Sequence, residues 1–491
     1  MQARRSLFPI PRGRRCSRAA PLVAAALLAG CAGLPPPLPV DAAGSTPPAW
    51  QAPLPHGGTV AELTRWWAQF DDPLVARLVD ASAAVSPSLA SAAARIAEAQ
   101  ATRAAAAAAL LPSLDATVSA GRGRPDVSVP AGNTGSAGVQ ASWEADVFGR
   151  NRAGRNAAEA RLLGRQAAWH DARVVVAAET ANEYVALRAC EARLAQARFD
   201  AASRSETARL TGLSERSGFE SPANAALARA SAAQAMLLVR QQAEQCEANV
   251  KALVALTAIA EPALRAQLGA NAARLPQPAE LGVASVPAEA LAQRPDLVAR
   301  AQDVAAASAD IDQADAARWP RIRLAGSVGV ARFDSALGNV SGTTWSVGPV
   351  SVSLPVFDFA ARSADAIAAR ARYDEAASLY LQALRLAVRD VENALVILQG
   401  TADRGADAQV AADNFAVSFR ATEARYRSGL GTLFELEDAR RSALAAQNTL
   451  IDLRRERVAA WIALYRALGG GWAGPGSATQ LTTVSLPPSS S

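Results

Sequence analysis

One segment, residues 150–213, restricts the fold more than any other part of the sequence. It contains no proline, and Ala, Arg, Glu and Leu dominate it. These residue types favour helix, and at 1.5 Å per residue a continuous helix of this length extends about 90 Å. Ordinary globular domains do not contain helices of that length. The segment therefore predicts an elongated helical structure rather than a compact globular core.

The second half of the chain carries the spacing of coiled-coil seams, because apolar residues recur at alternating steps of three and four. The first series is Leu384, Val388, Val391, Leu395 and Leu398, and the second is Leu436, Ala439, Ala443, Ala446, Leu450 and Leu453. Such spacing predicts helices that pack side by side over a long distance, and alanine permits close approach. A soluble coiled-coil bundle would show the same pattern, so the helices alone do not determine function.

An internal repeat divides the chain into two similar halves. Arg216-Ser217-Gly218-Phe219 recurs as Arg427-Ser428-Gly429-Leu430, an offset of 427 − 216 = 211 residues. A repeat of this length predicts two units of one design, each with helices, a pair of strands and a long helical hairpin. The predicted units are residues 61–273, with a hairpin tip near 217, and residues 288–470, with a tip near 429. Residues 274–287 are the predicted linker, and residues 471–491 a flexible C-terminal tail.

Four segments alternate strictly between apolar and polar residues. They lie at about residues 113–122, 137–148, 321–331 and 345–357. Each has the length that a tilted strand needs to cross a bilayer, although a half-buried sheet of a soluble protein alternates in the same way. The fourth segment changes phase at Pro349, which predicts a bulge.

Four strands cannot close a membrane barrel by themselves. In lipid no sheet edge stays unpaired, so chains with four strands must oligomerise. Two chains would form a narrow eight-stranded barrel that side chains fill, whereas three would form twelve strands around a lumen. The prediction is a mostly α-helical chain with membrane β-strands, and transport would require three copies.

The first thirty residues predict a secretory signal. Six arginines and no acidic residue accompany an apolar stretch at residues 19–30, which is too short to span a bilayer. Leu28-Ala29-Gly30-Cys31 resembles a bacterial lipoprotein signal, in which Cys31 becomes the acylated first residue. The next residue is Ala32 rather than the Asp that resembles an inner-membrane retention signal, which favours the outer membrane. Residues 31–60, rich in Pro, Gly and Ala, are the predicted lipidated tether.

Composition argues against an enzyme and against a nucleic-acid-binding protein. The net charge is +5, and removing the six arginines of the signal gives 5 − 6 = −1, which leaves no electrostatic footprint for nucleic acid. The chain has two His and one lysine, Lys251, and it lacks the residue spacing of a metal site or a catalytic constellation. We therefore expect no enzymatic activity, no metal and no cofactor.

Two cysteines lie symmetrically about the first predicted tip. Cys190 precedes Gly218 by 218 − 190 = 28 residues, and Cys246 follows it by 246 − 218 = 28 residues. Such positions face each other in an antiparallel hairpin, so a disulfide is one expectation in an oxidising compartment. Two unpaired, packed thiols are the other, because helical phase can point the side chains apart.

Four motifs carry a resemblance to a known family. They are Trp66-Trp67-Ala68-Gln69-Phe70-Asp71-Asp72-Pro73-Leu74, Trp143-Glu144-Ala145-Asp146-Val147-Phe148-Gly149-Arg150, Gln293-Arg294-Pro295-Asp296-Leu297 and Arg425-Tyr426-Arg427-Ser428-Gly429. Together they resemble TolC-type outer-membrane efflux factors, particularly the lipoprotein branch similar to OprM and NodT, over about residues 61–470. The resemblance implies a homotrimer with a twelve-stranded β-barrel in the outer membrane of a Gram-negative bacterium, above an α-helical periplasmic tunnel.

The resemblance also implies a function, partners and site residues. The protein would be the passive exit duct of a tripartite efflux system, supplied with small molecules by a periplasmic adaptor protein and an inner-membrane pump of the RND type. The turns that contact the adaptor or pump would be Ser217-Gly218 and Ser428-Gly429. The periplasmic gate would comprise Glu435, Asp438 and Arg441.

Two alternatives remain at this point. Without the resemblance, Glu435 and Asp438 are more simply part of a solvated helical face that includes Glu437 and Arg440. The first-half equivalents, Asn224 and Leu227, are uncharged, so only one hairpin per chain would supply gate charge. For the whole protein, the alternative is a lipid-anchored periplasmic coiled-coil tether or scaffold without a pore, which leaves the four alternating segments unexplained.

Overall fold

The structure is a computed structural model. It describes residues 50–51, 66–68, 70–124, 130–278, 291, 294–358 and 360–472. The predicted signal peptide, Cys31 and most of the predicted tether lie outside these residues. So do residues 279–287 of the predicted linker and residues 473–491 of the predicted tail.

Long helices dominate the described chain, as the sequence predicts. In the first half, α1 (Leu74–Val85) and α2 (Pro87–Ala108) precede the strands, and α3 (Arg150–Arg216), α4 (Pro222–Thr257), α5 (Glu261–Leu268) and a 3-10 turn (Gly269–Asn271) follow them. In the second half, α6 (Pro295–Ala316) precedes the strands, and α7 (Ala361–Arg427) and α8 (Leu433–Ala467) follow them. Both α3 and α7 contain 67 residues, a length of about 100 Å.

The strands form one antiparallel sheet. They are β1 (Ser113–Gly123), β2 (Gly132–Ala145), β3 (Arg321–Ser335) and β4 (Gly338–Ser353), in the spatial order β1-β2-β3-β4. The strands extend further towards the hairpin turns than the alternation suggested, since β2 starts at Gly132 and Ser335 pairs with Gly338. At their other ends β2 and β4 stop at Ala145 and Ser353, before the predicted residues 148 and 357. The added residues are mostly small and polar. Backbone pairing continues through them although their side chains lack the apolar half of the alternating pattern.

The register of the sheet separates apolar and polar residues onto opposite faces. Val118 pairs with Ala137, Ala137 with Val330, and Val139 with Val328, which in turn pairs with Trp345. Paired residues in adjacent strands point to the same side, so the apolar residues of all four strands form one continuous face. The predicted phase change is confirmed by a register shift at Leu324/Gly326, opposite Gly348 and Pro349.

The opposite face of the sheet carries polar side chains that hydrogen-bond between neighbouring strands. Serine hydroxyls hydrogen-bond between neighbouring strands in three pairs, Ser113–Ser142 at 2.9 Å, Ser119–Ser136 at 2.7 Å and Ser327–Ser346 at 2.8 Å. Arg323 and Glu144 lie on this face at an ion-pair distance of 3.9 Å. The sheet therefore has an apolar face and a hydrogen-bonded polar face.

The main hydrophobic core lies where three peripheral segments, namely the residues around Trp66, α1 and α5, pack against the long helices. Trp66 stacks on Tyr465 with ring centroids 5.0 Å apart, and Trp67 meets the same ring edge-on at 4.7 Å. Arg188 of α3 is buried beside this core, where it donates to the Tyr184 hydroxyl at 2.9 Å and the Leu268 carbonyl at 2.9 Å. Burial of the aromatic rings and the pairing of this charge fix the peripheral segments to one side of α3.

Packing between the hairpins runs mainly through α3. This helix contacts α4, α6 and α8, and α7 contacts α6 and α8. None of the helices in the described ranges combines the length and the apolar character that a membrane span requires.

Cys190 of α3 and Cys246 of α4 face each other across the first hairpin. Their Cα atoms are 5.5 Å apart, a separation that a disulfide spans. The helical phase therefore brings the two side chains together. This geometry favours the bridged alternative for the pair.

Candidate functional site

The candidate site lies at the free ends of the two helical hairpins. The turn of the first hairpin joins α3 to α4, and the turn of the second joins α7 to α8. Gly218 and Gly429 have φ values of 78° and 73°, a left-handed conformation that favours glycine. The Ser217 and Ser428 hydroxyls donate to carbonyls one turn earlier, at 3.1 Å and 3.0 Å. The four predicted tip residues therefore form two equivalent helix-ending turns.

Large apolar side chains project from both turns. Phe219, Leu430 and Phe434 are exposed, Phe219 to 87%. Exposed aromatic and aliphatic side chains at the end of a hairpin are typical of a surface that contacts another protein. Their position beside Ser217-Gly218 and Ser428-Gly429 makes the tips a candidate docking surface.

Glu435 and Thr432 form a capping box at the N-terminus of α8. The Glu435 carboxylate accepts the Thr432 backbone N–H at 2.9 Å, and the Glu435 backbone N–H donates to the Thr432 hydroxyl at 3.2 Å. The hydrogen bond from the Thr432 backbone lowers the pKa of Glu435 below its ordinary value. Glu435 therefore combines a structural role at the helix start with a stable negative charge near the tip.

Asp438 and Arg441 lie on the next turn of α8 and form an exposed ion pair. Glu435 and Asp438 are three residues apart, so their side chains share one face of the helix. In the first hairpin, Asn224 donates its side-chain N–H to Glu220 at 2.7 Å, and Leu227 is partly exposed. The predicted gate charges are thus adjacent to each other and close to the second tip.

A buried charged cluster lies beside the predicted gate and joins all four long helices. We name it the inter-hairpin cluster, and it comprises Asp200, Ser203, Arg204 and Thr207 of α3, Ser231 of α4, Glu423 of α7, and Glu437 and Arg440 of α8. Arg204 donates to Ser231 at 2.7 Å, to Glu437 at 2.5 Å and to Asp200 at 2.8 Å. It therefore bridges both helices of its own hairpin and the facing hairpin.

Arg440 is the most buried member of the inter-hairpin cluster, with 2% of its surface exposed. It donates to Glu437 at 2.5 Å, to Ser203 at 3.0 Å and to Thr207 at 3.2 Å. Burial is the main cause that lowers the pKa of its guanidinium. These contacts contradict the interpretation of Glu437 and Arg440 as a solvated face, because α3 covers them.

The inter-hairpin cluster could not be predicted from the sequence, for a physical reason. Arg440 follows Leu436 by four residues and precedes Ala443 by three, which is the spacing of the coiled-coil seam. A charged residue at a seam position is buried only where another helix supplies partners. The local signal was the spacing of Glu437 with Arg440, but the partners on α3 are more than 200 residues away.

A second contact joins the hairpins closer to the tips. The hydroxyls of Thr211 on α3 and Tyr426 on α7 are 2.9 Å apart. Tyr426 also packs against a small apolar cluster that includes Ala228, Phe419, Leu433 and Leu436. Both hairpins are thus held together at the tips by polar and apolar contacts that a movement of either hairpin would break.

Comparison with known proteins agrees with this architecture. Residues 78–258 and 286–470 match the outer membrane efflux protein family. The chain is 28% identical over 466 residues to the pyoverdine export outer membrane protein OpmQ of Pseudomonas aeruginosa, covering 92% of this chain and 96% of that protein. It is 27% identical over 464 residues to the solvent efflux pump outer membrane protein SrpC of Pseudomonas putida, covering 92% and 98%.

A solved structure gives the same result for the fold. The outer-membrane channel OprN superimposes with a TM-score of 0.76 and 26% identity, covering 87% of this chain and 98% of that chain. The predicted mostly helical fold and the resemblance to TolC-type efflux factors are confirmed. The chain therefore belongs to the outer membrane efflux protein family and is a protein of the outer membrane.

Proposed function

We propose that three copies of this chain form one passive exit duct across the periplasm and the outer membrane. The observation that carries the proposal is the sheet, in which the register places the apolar residues of all four strands on one face. In the described chain β1 and β4 are the edges of that sheet. Joining the edges of three sheets would give a twelve-stranded barrel with its apolar face towards lipid and its polar face towards a lumen.

The gate of the duct is proposed to lie at Glu435, Asp438 and Arg441. Around a threefold axis, each of these carboxylates would occur three times and form a constriction that favours cations. Two sets of contacts between the hairpins support a closed resting arrangement. They are the inter-hairpin cluster and the Thr211–Tyr426 pair. Opening would require the hairpins to separate and these contacts to exchange for water.

The proposed partners follow from the exposed tips and from the relatives. Phe219 and Leu430 would contact a periplasmic adaptor protein or an inner-membrane pump of the RND type, which supplies energy and cargo. The names of relatives include pyoverdine export and solvent efflux, which supports small molecules as cargo. Acylation of Cys31 would anchor the chain to outer-membrane lipid. The duct itself would lower no chemical barrier and would act without a cofactor.

The experiment is a single-channel recording of the purified, detergent-solubilised protein in planar bilayers. We expect small, mostly closed currents from the unmodified protein. In Asp438→Ala the open fraction should rise, because the loss of Asp438 frees Arg441 and removes a charge from the constriction. The matched control is Asp403→Ala on α7, which precedes Gly429 by 429 − 403 = 26 residues. Within the described ranges its carboxylate accepts a local hydrogen bond from Gln399.

The outcomes separate the duct from its alternative. Equal currents in the unmodified protein, Asp438→Ala and Asp403→Ala would remove Asp438 from the gate but leave the duct intact. A protein that remains monomeric and never conducts would instead favour the lipid-anchored coiled-coil tether without a pore.

A further inference from the structure

The apolar face of the sheet ends in charged and polar residues near the hairpin turns. On β3, Arg332 and Asp334 follow the apolar Val330 by two and four positions, so they lie on the same face as Val330. Asp334 pairs with Asn133 of β2, and Asn133 pairs with Arg122 of β1, which places these residues on that face too. We name Arg122, Asn133, Arg332 and Asp334 the charged rim.

The charged rim begins where the hydrocarbon of a bilayer would end. The apolar face of β3 extends from Ile322 to Val330, a distance of 330 − 322 = 8 residues, or about 27 Å along the strand. With a strand tilt of about 40°, this stretch spans about 21 Å of membrane, close to the apolar band of about 25 Å in membrane barrels. Arg332 is the next residue on this face beyond that stretch.

Small residues leave a depression between the two arginines of the rim. Ala120 of β1 faces Gly135 of β2, and Gly135 faces Arg332 of β3. A Cβ atom at Gly135 would have no other group within 4 Å, so the space above it is open. Arg122 lies two strands and two residues away from Arg332, or about 12 Å between the Cα atoms. Both side chains can therefore reach a group that sits over Gly135.

The rim retains donors for an additional acceptor. The Nε of Arg332 donates to both carboxylate oxygens of Asp334, at 3.0 Å and 2.9 Å, and 62% of the Arg332 side chain is exposed. Arg122 donates to the neutral side chain of Asn133 at 3.5 Å. Two arginines and one aspartate give the rim a net charge of 2 − 1 = +1 per chain. An anionic group would offset this charge.

The position of the rim indicates which anion it would meet. If the proposed duct is correct, on which this step rests, the helical hairpins lie in the periplasm and the strand turns lie at the outer surface of the membrane. The apolar face would then contact lipid tails, and the charged rim would contact the headgroups of the same lipids. The outer leaflet of a Gram-negative outer membrane consists of glycolipids whose sugars carry phosphate groups.

We infer that the charged rim binds the phosphorylated sugar headgroup of an outer-leaflet glycolipid. A phosphate over Gly135 would accept hydrogen bonds from Arg122 and from the terminal nitrogens of Arg332, because guanidinium groups match phosphate oxygens in charge and geometry. The amide of Asn133 would contact sugar hydroxyls. The acyl chains would extend along the apolar residues below, such as Val330. Three copies would carry three such sites around the outside of the duct.

The test is a titration of the purified full-length protein in detergent with diphosphoryl lipid A, with bound lipid measured by native mass spectrometry. Phosphatidylglycerol and inorganic phosphate are the comparison probes, which distinguish a phosphorylated glycolipid from any anionic lipid and from free phosphate. We expect diphosphoryl lipid A to bind at least tenfold more tightly than either probe. Monophosphoryl lipid A should bind less tightly than the diphosphoryl form, because it carries fewer anionic groups.

Substitutions in the rim test the individual contacts. Arg122→Gln and Arg332→Gln should each weaken lipid A binding about tenfold, the effect of losing one charged hydrogen bond. Asp334→Asn should strengthen binding, because it removes an anion and releases the Nε of Arg332. Gly135→Val should weaken binding by filling the depression without changing the charge. The matched control is Arg323→Gln, on the polar face of β3, which should leave binding unchanged.

The outcomes separate the lipid site from the duct. The inference is overturned if diphosphoryl lipid A binds no more tightly than phosphatidylglycerol, or if Arg323→Gln weakens binding as much as Arg122→Gln and Arg332→Gln do. Lipid binding can be measured without any current. Preferential lipid A binding by a protein that does not conduct would support the lipid site and contradict the duct, whereas conduction without such binding would do the opposite.

Discussion

Arg440 shows at the residue scale that a single charged side chain can connect two distant segments of this chain. Its guanidinium lies among Ser203, Thr207 and Glu437 and over the ring of Phe419, 5.5 Å from the ring centroid. A buried arginine is tolerated only where acceptors surround it, because its desolvation is costly. The sequence placed Arg440 on a helix with seam spacing, but it did not indicate that α3 supplies the acceptors.

We expect Arg440→Met to reduce the free energy of unfolding by about 3 kcal/mol, because it leaves buried acceptors without their donor. The measurement is guanidinium-induced unfolding followed by circular dichroism at the helical signal. Arg441→Met is the control, since the exposed Arg441–Asp438 pair should contribute less than about 1 kcal/mol. Equal losses in the two variants would show that the inter-hairpin cluster does not stabilise the fold.

At the scale of elements, the two helical hairpins and the sheet follow from local patterns that the sequence displays. The absence of proline predicted α3, and the stepped apolar residues predicted α7 and α8. Alternation located the four strands, although their ends differ by several residues where small polar residues continue the pairing. The short α5 and the turn after it had no periodic signal long enough to predict them.

The first hairpin is expected to contain a disulfide between Cys190 and Cys246. Alkylation in denaturant without reductant should leave both cysteines unmodified, and alkylation in denaturant after reduction should add two labels by mass spectrometry. Closing a loop with a sequence separation of 56 residues should stabilise the protein by about 2–4 kcal/mol. Reductant should therefore lower the unfolding midpoint of the unmodified protein but not that of a Cys190→Ser/Cys246→Ser variant. Labelling of both thiols without reductant would refute the bridge.

The two faces of β1 can be tested by adjacent substitutions. Val118 belongs to the apolar face and lies near the middle of β1, whereas Thr117 belongs to the polar face. We expect Val118→Arg to cost about 2–4 kcal/mol per copy at the bilayer midplane and to deplete the protein from the outer membrane. Thr117→Arg should insert normally. Quantifying both variants in outer-membrane fractions checks this, and equal insertion would contradict a lipid-facing apolar side.

At the scale of the whole molecule, one chain presents a sheet with two edges and long helices with exposed apolar side chains. Leu237 on α4 and Val410 and Val417 on α7 are exposed on helices that otherwise pack closely. Exposed apolar residues along long helices and unpaired strand edges both favour association with further copies. These features, rather than any single residue, favour the association that the proposed trimer requires.

The molecular mass of the purified protein in detergent provides the direct check of that assembly. We expect native mass spectrometry to give three times the mass of one lipidated chain. The Val118→Arg variant should contain a smaller trimer fraction, because its strand cannot remain in lipid, while Thr117→Arg should resemble the unmodified protein. A stable monomer or dimer of the unmodified protein would contradict a twelve-stranded barrel.

The sequence by itself determined the local geometry of this protein. Helix length follows from the absence of proline, the tips follow from glycine at turns that require positive φ, and the faces of the strands follow from a period of two. These properties depend on residues that are close together along the chain. The tip positions Ser217-Gly218 and Ser428-Gly429 came instead from the internal repeat and the family resemblance, and both lie at helix-ending turns in the structure.

Only the tertiary structure decided which helices face each other. The pairing of α3 with α8 places Arg440 among its acceptors and leaves Asp438 on an exposed face. A charge on a helix is buried or solvated according to groups that lie hundreds of residues away. Packing between distant segments, rather than local spacing, therefore determines where the functional contacts of this chain lie.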